Sequence, residues 1–517
     1  MADTEVRRLA IQGAGVTIFS SGLGVAIQIV STVVLARMLT PLDFGLVTMV
    51  TTFSLLLVNF GPNGFTEAIL QAKVLNHALV SNLFWINGGI GLVLTLGFAA
   101  AGSLMARLYH DPLVARVAVG ISPTILITSI SVQHLALLKR AMNFTATSVN
   151  DIASRASSLG ISIFLAWMGW RYWALVVGAV VQPLAQALGA WILCPWLPCF
   201  PRRVAGTASM VQFALNIYAR FTLNYFARNT DNLLVGWRFG SIPLGFYKKA
   251  YDLFALSAGQ LAGPITNVAV AALSKYNPRS EQFRHDLLSA IELTSFIGMG
   301  LAAEFALIGK DLIRVLLGPG WEQAGRIFIF FAPGIGAVLL YFVHSWIHLS
   351  IGRADRWLRW GILEVFVTFL FFLFGLPWGP VGVAIAWSAA LWTLTFPALW
   401  YAGQPVRLGI SPVLGAVWKY VAASLVAGFA TAGIGGRLPP ALFPAPHSLW
   451  DATIAIAGNT SVFVTLYLGA IVLLHGSFAP LRRVVRLLGE MVSRRRLSEK
   501  SSSSRVNANA RLPGELF

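Results

Sequence analysis

Long apolar runs, each close to the length of a bilayer-spanning helix, recur from one end of the chain to the other with only short polar breaks between them. They cover Ile11–Leu35, Phe44–Phe60, Leu83–Leu104, Val114–Leu138, Ile152–Gly169, Tyr172–Cys194, Val211–Gly236 and Leu244–Ser274. They continue over Leu287–Gly309, Phe328–Ile351, Trp357–Phe374, Val381–Ala402, Val413–Ile434 and Ala452–Leu474. A helix of about 20 apolar residues crosses the ~30 Å hydrocarbon core and satisfies its own backbone there. The pattern therefore predicts an all-α polytopic membrane protein with about fourteen transmembrane helices. The seventh and eighth runs are the weakest because they hold most of the charge inside the runs, and twelve is the alternative count.

Composition narrows the class. Of 517 residues, 56% are hydrophobic and only 11% are charged, with a mean hydropathy of +0.72. Soluble domains carry about 25% charged residues, so a soluble fold of this length is excluded. The formal charge of +18 matters through its placement. With both termini cytoplasmic, most loop Lys and Arg fall inside. Arg37, Arg107, Arg171 and Arg238 are among the few outside, as the positive-inside rule requires of an even number of spans. Arg7 and Arg8 precede the first run, but no small-residue cleavage site follows it, so it reads as a permanent helix. Cys194 and Cys199 flank a Pro-Trp-Leu-Pro turn without the paired spacing of a zinc site. No metal or cofactor is expected. The segment Leu481-Arg482-Arg483-Val484-Val485-Arg486-Leu487-Leu488 has the pattern of a basic amphipathic helix lying on the anionic leaflet of the phospholipid bilayer. The Ser/Asn/Arg-rich stretch from Ser498 reads as disordered. Nothing accompanies these arginines that would read a nucleic acid.

The chain also repeats itself. Arg37-Met-Leu-Thr-Pro41-Leu-Asp-Phe44-Gly joins the first and second runs, and Arg238-Phe-Gly-Ser-Ile-Pro243-Leu-Gly-Phe246-Tyr joins the seventh and eighth. Six spans separate the copies, so both have the same membrane orientation. The expected organisation is two parallel six-helix halves, 1–205 and 206–405, followed by two further helices in 406–478 and a tail in 479–517. Transporters built from such repeats bind substrate between the halves.

The candidate chemistry lies in the seventh and eighth runs. Asn216, Arg220, Asn224, Arg228 and Asp231 follow one another at steps of 4, 4, 4 and 3, a single stripe on a helix. A charge at bilayer depth costs about 2.5–3.5 kcal/mol even on the lenient insertion scale, so the stripe should face a bundle interior or a wet cavity. Lys248, Lys249 and Asp252 follow, with Lys248 and Asp252 spaced to pair at i, i+4. The net positive balance, with arginine forks, suits a pyrophosphate. The competing reading makes these residues structural ion pairs. Thr17, Ser21, Gly24, Gln28 and Ser31 share one face of the first helix, the spacing of close helix packing more than of a cavity wall. Glu304, Glu364 and His344 are candidates for ion coupling, while His344 and His348 at i, i+4 more simply bond neighbouring helices. No nucleophile–base pair or phosphate-cradling Gly-rich loop is present, so the chain reads as a transporter and not an enzyme.

Three segments together carry a resemblance: Leu35-Ala-Arg-Met-Leu-Thr-Pro-Leu-Asp-Phe-Gly, Asp231-Asn-Leu-Leu-Val-Gly-Trp-Arg-Phe-Gly and Leu244-Gly-Phe-Tyr-Lys-Lys-Ala-Tyr-Asp-Leu. Through them the chain resembles the polysaccharide (Wzx-like) flippases of the exporter superfamily that also holds the lipid II flippases and the MATE exporters. The resemblance runs over about residues 5–475. It implies alternating access through a cationic central cavity that carries an undecaprenyl-pyrophosphate-linked oligosaccharide across the bacterial inner membrane. The product would be exopolysaccharide or lipopolysaccharide, and a polymerase and a chain-length regulator would be partners. In that setting Arg220, Arg228, Asn224, Asn216, Asp231, Lys248 and Lys249 would line the cavity, and Arg37 and Arg238 would be symmetry-related gate positions. The alternatives are a MATE-like antiporter, which would want an acidic pocket, and a membrane-embedded polymerase or ligase, which would want a long periplasmic loop.

Overall fold

The computed structural model describes residues 2–72, 75–435 and 449–482, and every regular element among them is helical. The first half holds α1 (Ala2–Met38), α2 (Pro41–Val58), α3 (Phe60–Gln71), α4 (His77–Tyr109), α5 (Leu113–Ile121), α6 (Pro123–Ser129), α7 (Val132–Arg140), α8 (Phe144–Trp167) and α9 (Tyr172–Leu193). The second continues with α10 (Thr207–Phe239), α11 (Ser241–Leu273), α12 (Glu281–Leu317), α13 (Glu322–Ser350), α14 (Ala354–Gly375), α15 (Gly379–Gly403), α16 (Ile410–Gly435) and α17 (Leu449–His475). Each apolar run falls on a helix or on a string of helices broken within it. Among the described residues, ten segments are long and apolar enough to cross a membrane. The basic tail beyond Arg482 lies outside the described residues.

Local chemistry sets the breaks. α2 starts on Pro41, and the Thr40 N–H and hydroxyl both donate to the Asp43 carboxylate, at 2.9 and 2.7 Å. The run read as Phe44–Phe60 continues as α3 after a step at Asn59, and Arg140 caps α3 by donating to the carbonyls of Ile69 and Ala72 at 2.6 and 2.7 Å. The run Val114–Leu138 is three short helices, interrupted before Pro123 and at Ser131. Asn76 caps α4 by accepting from Leu79 N–H at 2.7 Å.

The exterior is the inverse of a soluble protein's. Phe19, Trp167, Ile192, Phe374, Phe429 and Leu473 are all more than 70% exposed, which suits lipid. The polar side chains Asn87, Gln133, His134 and Asp231 are buried.

The described residues form two compact units, one of residues 2–259 with 309–334 and 355–394, the other of residues 260–308 with 335–354 and the described part of 395–482. In the first, Phe60, Phe65, Ile69, Leu83, Val132 and Ala214 form a core shared by α3, α4, α7 and α10. The segment after α9 is pinned on α4, where Asn82 exchanges bonds with the Arg202 backbone and the Trp85 indole donates to the Cys199 carbonyl at 2.9 Å. In the second unit, the Tyr467 hydroxyl of α17 donates to the Phe296 carbonyl of α12 at 2.7 Å. The Trp346 indole of α13 donates to the Thr266 hydroxyl of α11, also at 2.7 Å.

Candidate functional site

In the first unit α10 is held against α2 by two phenols. Tyr218 and Tyr225 donate to the carbonyls of Leu56 and Thr52, each at 2.8 Å. This bonding fixes the rotation of α10 and decides how its polar stripe is distributed. Asn216 and Arg228 are exposed. Arg228 has no hydrogen bond or ion pair among the described residues. It lies eleven positions before the end of the 33-residue α10, roughly 16 Å along the axis. Asp231 has no exposed surface and accepts from the Tyr247 hydroxyl and the Asn232 N–H, both at 2.8 Å. The side chains of Arg220 and Asn224 lie outside the described residues.

Gly240, at φ 85°, turns α10 directly into α11. The turn brings Tyr247 beneath Asp231 and sets three charges on the first turns of α11. Lys248 donates to Asp252 at 2.7 Å, with both side chains about 30% exposed, and lies within electrostatic range of Asp231. Lys249 is buried and rests over the Phe44 ring at 3.8 Å, a cation–π contact with the start of α2. Tyr251 and Phe254 of α11 stack into a cluster with Phe331 and Trp387 that anchors this face.

The two copies of the Pro-Leu-x-Phe repeat meet here. A Cβ on Gly45 would stand 1.8 Å from the Ser241 carbonyl oxygen, and one on Gly245 would stand 1.9 Å from the Pro41 oxygen. The contact is reciprocal, and glycine at both places is what lets the helix starts touch. At the same end Arg37 donates to the Val315 and Leu316 carbonyls that finish α12, at 2.5 and 3.2 Å. The Trp321 indole donates to the Ala36 carbonyl at 2.8 Å. Arg238, exposed, lies 5.7 Å from the Phe239 ring.

The structure thus gathers Asp231, Lys248, Lys249 and Asp252, and leaves Arg228 open. Glu304 and His344 belong to the other unit. Glu304 is 8% exposed and accepts from the Thr460 hydroxyl, while its second oxygen is buried without a partner among the described residues. His344 is buried, Nδ1 against the Tyr341 carbonyl and Nε2 without a partner among the described residues. Glu364 is half-buried on α14. No group of three His, Cys, Asp or Glu side chains comes together among the described residues. Sequence reasoning missed the Arg155–Asp151 pair of α8, an i, i+4 pair at 2.9 Å in mid-helix. Its spacing was the available signal.

A helical membrane bundle with these breaks has the fold of the multidrug/oligosaccharidyl-lipid/polysaccharide exporters. The structure matches that of the lipid II flippase MurJ in an inward closed conformation with a TM-score of 0.69, at 15% identity, over 88% of this chain and 98% of that one. An inward-facing multidrug MATE transporter matches with a TM-score of 0.55, at 12% identity, over 74% and 94%. The chain belongs to the polysaccharide biosynthesis protein family, whose model matches residues 34–326. It is 23% identical to the teichuronic acid biosynthesis protein TuaB of Bacillus subtilis (strain 168), over 71% of this chain and 77% of that protein. It is 20% identical to the lipopolysaccharide biosynthesis protein WzxC of Escherichia coli (strain K12), over 62% and 65%. That last match spans a little under two thirds of WzxC.

Proposed function

We propose that the protein is a flippase that moves an undecaprenyl-pyrophosphate-linked oligosaccharide across the bacterial inner membrane, a transporter and not an enzyme. Family membership and the MurJ-like fold support the class. The observation that carries the chemistry is Arg228, an exposed guanidinium without a hydrogen-bond or ion-pair partner among the described residues, about three turns before the end of a helix of membrane-crossing length. Lipid cannot solvate it at that depth, so it faces water and is available to an anion. Its planar fork matches phosphate oxygens, while Lys248, about 30% exposed, is paired with Asp252 and leaves the guanidinium as the open cation of the two. Asn216, also exposed, lies on the same helix. Asp231 and Tyr247 hold α10 and α11 in register.

The transport cycle is alternating access between the six-helix halves 1–205 and 206–405, with 406–478 beside them. The expected fourteen crossings would need α14 and α15 to cross separately and α8, α10 and α11, which are not among the ten candidate spans of the described residues, to cross as well. Glu304, with a buried oxygen lacking a partner among the described residues, is the first candidate for ion coupling.

Arg228→Ala should insert and accumulate normally, since an exposed, unpaired side chain holds nothing in place. It should fail to restore glycan export to cells lacking the gene, and the lipid-linked intermediate should accumulate. Arg228→Lys should restore export in part, because it keeps charge but not the fork. Full export by the alanine variant at normal protein level would refute the substrate role.

A further inference from the structure

α1, α8 and α9 enclose a cleft of about 70 Å³ whose wall is polar at bilayer depth. Gln28 and Ser31 face it from α1, Arg155 and Ser158 from α8, and Gln182 from α9. Arg155 is eleven residues from the start of the 24-residue α8 and twelve from its end, near the midplane of a spanning helix. Its Nε donates to Asp151 at 2.9 Å. Its two terminal amino groups have no partner among the described residues. Neither do the carboxamides of Gln28 and Gln182 or the Ser31 hydroxyl. The polar face of the first helix, expected from sequence to be chiefly a packing stripe, is therefore also the wall of a cavity. Gly24 also lines the cleft, and a Cβ there would stand 4.0 Å from Arg155 Nε, an ordinary contact.

Polar groups without partners at this depth must meet water or a ligand, since leaving them dry costs several kcal/mol each. The volume holds several waters or the edge of a small ring. The chemistry of the wall selects the ligand. Arg155 and Asp151 cancel in charge, so the cleft lacks the net positive field a pyrophosphate requires. It offers donors (guanidinium, carboxamide N–H) and acceptors (carboxamide and serine hydroxyl oxygens) side by side. Each hydroxyl of a sugar both donates and accepts, and vicinal hydroxyls match a guanidinium fork or a carboxamide two at a time.

We propose that this cleft is a sugar subsite, binding the hydroxyls of one residue of the transported glycan through Arg155, Gln28 and Gln182. The proposal rests on the flippase reading above. It makes the N-terminal helices readers of the glycan while the α10–α11 charges hold the pyrophosphate.

The test is equilibrium binding to the full chain in lipid nanodiscs. One probe is the lipid-linked pool extracted from cells lacking the gene, and the other is undecaprenyl pyrophosphate without sugar. Gln182→Ala and Arg155→Lys should weaken binding of the glycan-bearing pool by about tenfold or more, the loss of one or two hydrogen bonds. Binding of undecaprenyl pyrophosphate should be unchanged. Lysine keeps the ion pair with Asp151 and Gln182 has no partner to lose, so both variants should fold. Arg228→Ala, by contrast, should weaken both probes. Equal weakening of both probes by the cleft variants would make the cleft an anion site and overturn the sugar assignment. Unchanged binding of both would overturn the site while leaving the flippase reading intact. A wild-type protein that binds neither probe would bring down the flippase reading and the subsite together.

Discussion

Asp231 and Arg228 are three positions apart on one helix and have opposite fates, one wholly buried and the other exposed. The buried carboxylate is tolerable because the Tyr247 hydroxyl and a backbone N–H serve it. Tyr247→Phe removes one of these donors and leaves an acceptor under-satisfied, a loss of about 1–3 kcal/mol. Purified Tyr247→Phe should therefore unfold at a lower temperature, and export should fall only as far as protein level falls. A variant that is fully stable yet inactive would show that Asp231 does more than hold α10 to α11. Periodicity exposed the stripe of polar residues but not its division. Steps of four drift about 40° each, so the stripe spans both a buried and an open face of α10. The partner that decides the matter, Tyr247, is sixteen residues away on the next helix. Arg155 was missed for a related reason: the Asp151–Arg155 spacing is also that of an ordinary surface pair, and only the third dimension places Gln28 and Gln182 beside it.

At the scale of helices, the apolar runs located the elements well, because twenty consecutive apolar residues have few other structural meanings. Interruptions inside a run were less legible. Asn59 and Pro123 each break a run that hydropathy reads as continuous. The repeat was legible as a motif but not in register. Pro41 and Pro243 match at a spacing of 202, whereas the residues that meet reciprocally, Pro41 with Gly245 and Gly45 with Ser241, relate the glycines and helix starts at a spacing of 200. Gly45→Ala or Gly245→Ala would drive a methyl into a backbone carbonyl, which cannot swing aside as a side chain can. Each should destabilise by about 1–3 kcal/mol and prevent the start of α2 from seating on α11. Gly97→Ala in α4, where a Cβ meets nothing within 4 Å, is the matched control. It should be neutral or stabilising by up to about 1 kcal/mol, since it removes a helix-interior glycine. Thermal unfolding of the three variants decides the point. Equal stability across them would mean that the two helix starts do not touch in the membrane.

For the whole molecule, composition alone identified the class, since 11% charged residues cannot solvate a chain of this size. Which helices neighbour which was not legible. In lipid, a face toward acyl chains and a face toward another helix are both apolar, so no amphipathic stripe points to the core. The first compact unit accordingly takes in residues 309–334 and 355–394 together with 2–259, a grouping that no pattern along the chain announces. Orientation, by contrast, is written in the loops. Arg202 and Arg203 follow α9, and Lys139 and Arg140 end α7, so the positive-inside rule predicts these ends on the cytoplasmic side. The α8–α9 turn at Trp170 then faces outward. The native Cys199 is a free, exposed thiol on the first of these surfaces. In intact spheroplasts an impermeant maleimide should not label Cys199, and permeabilisation should make it reactive. In a Cys194→Ala, Cys199→Ala chain carrying Trp170→Cys, the same reagent should label without permeabilisation, because Trp170 is 48% exposed. The opposite pair of results would invert the protein. It would place the basic loops outside.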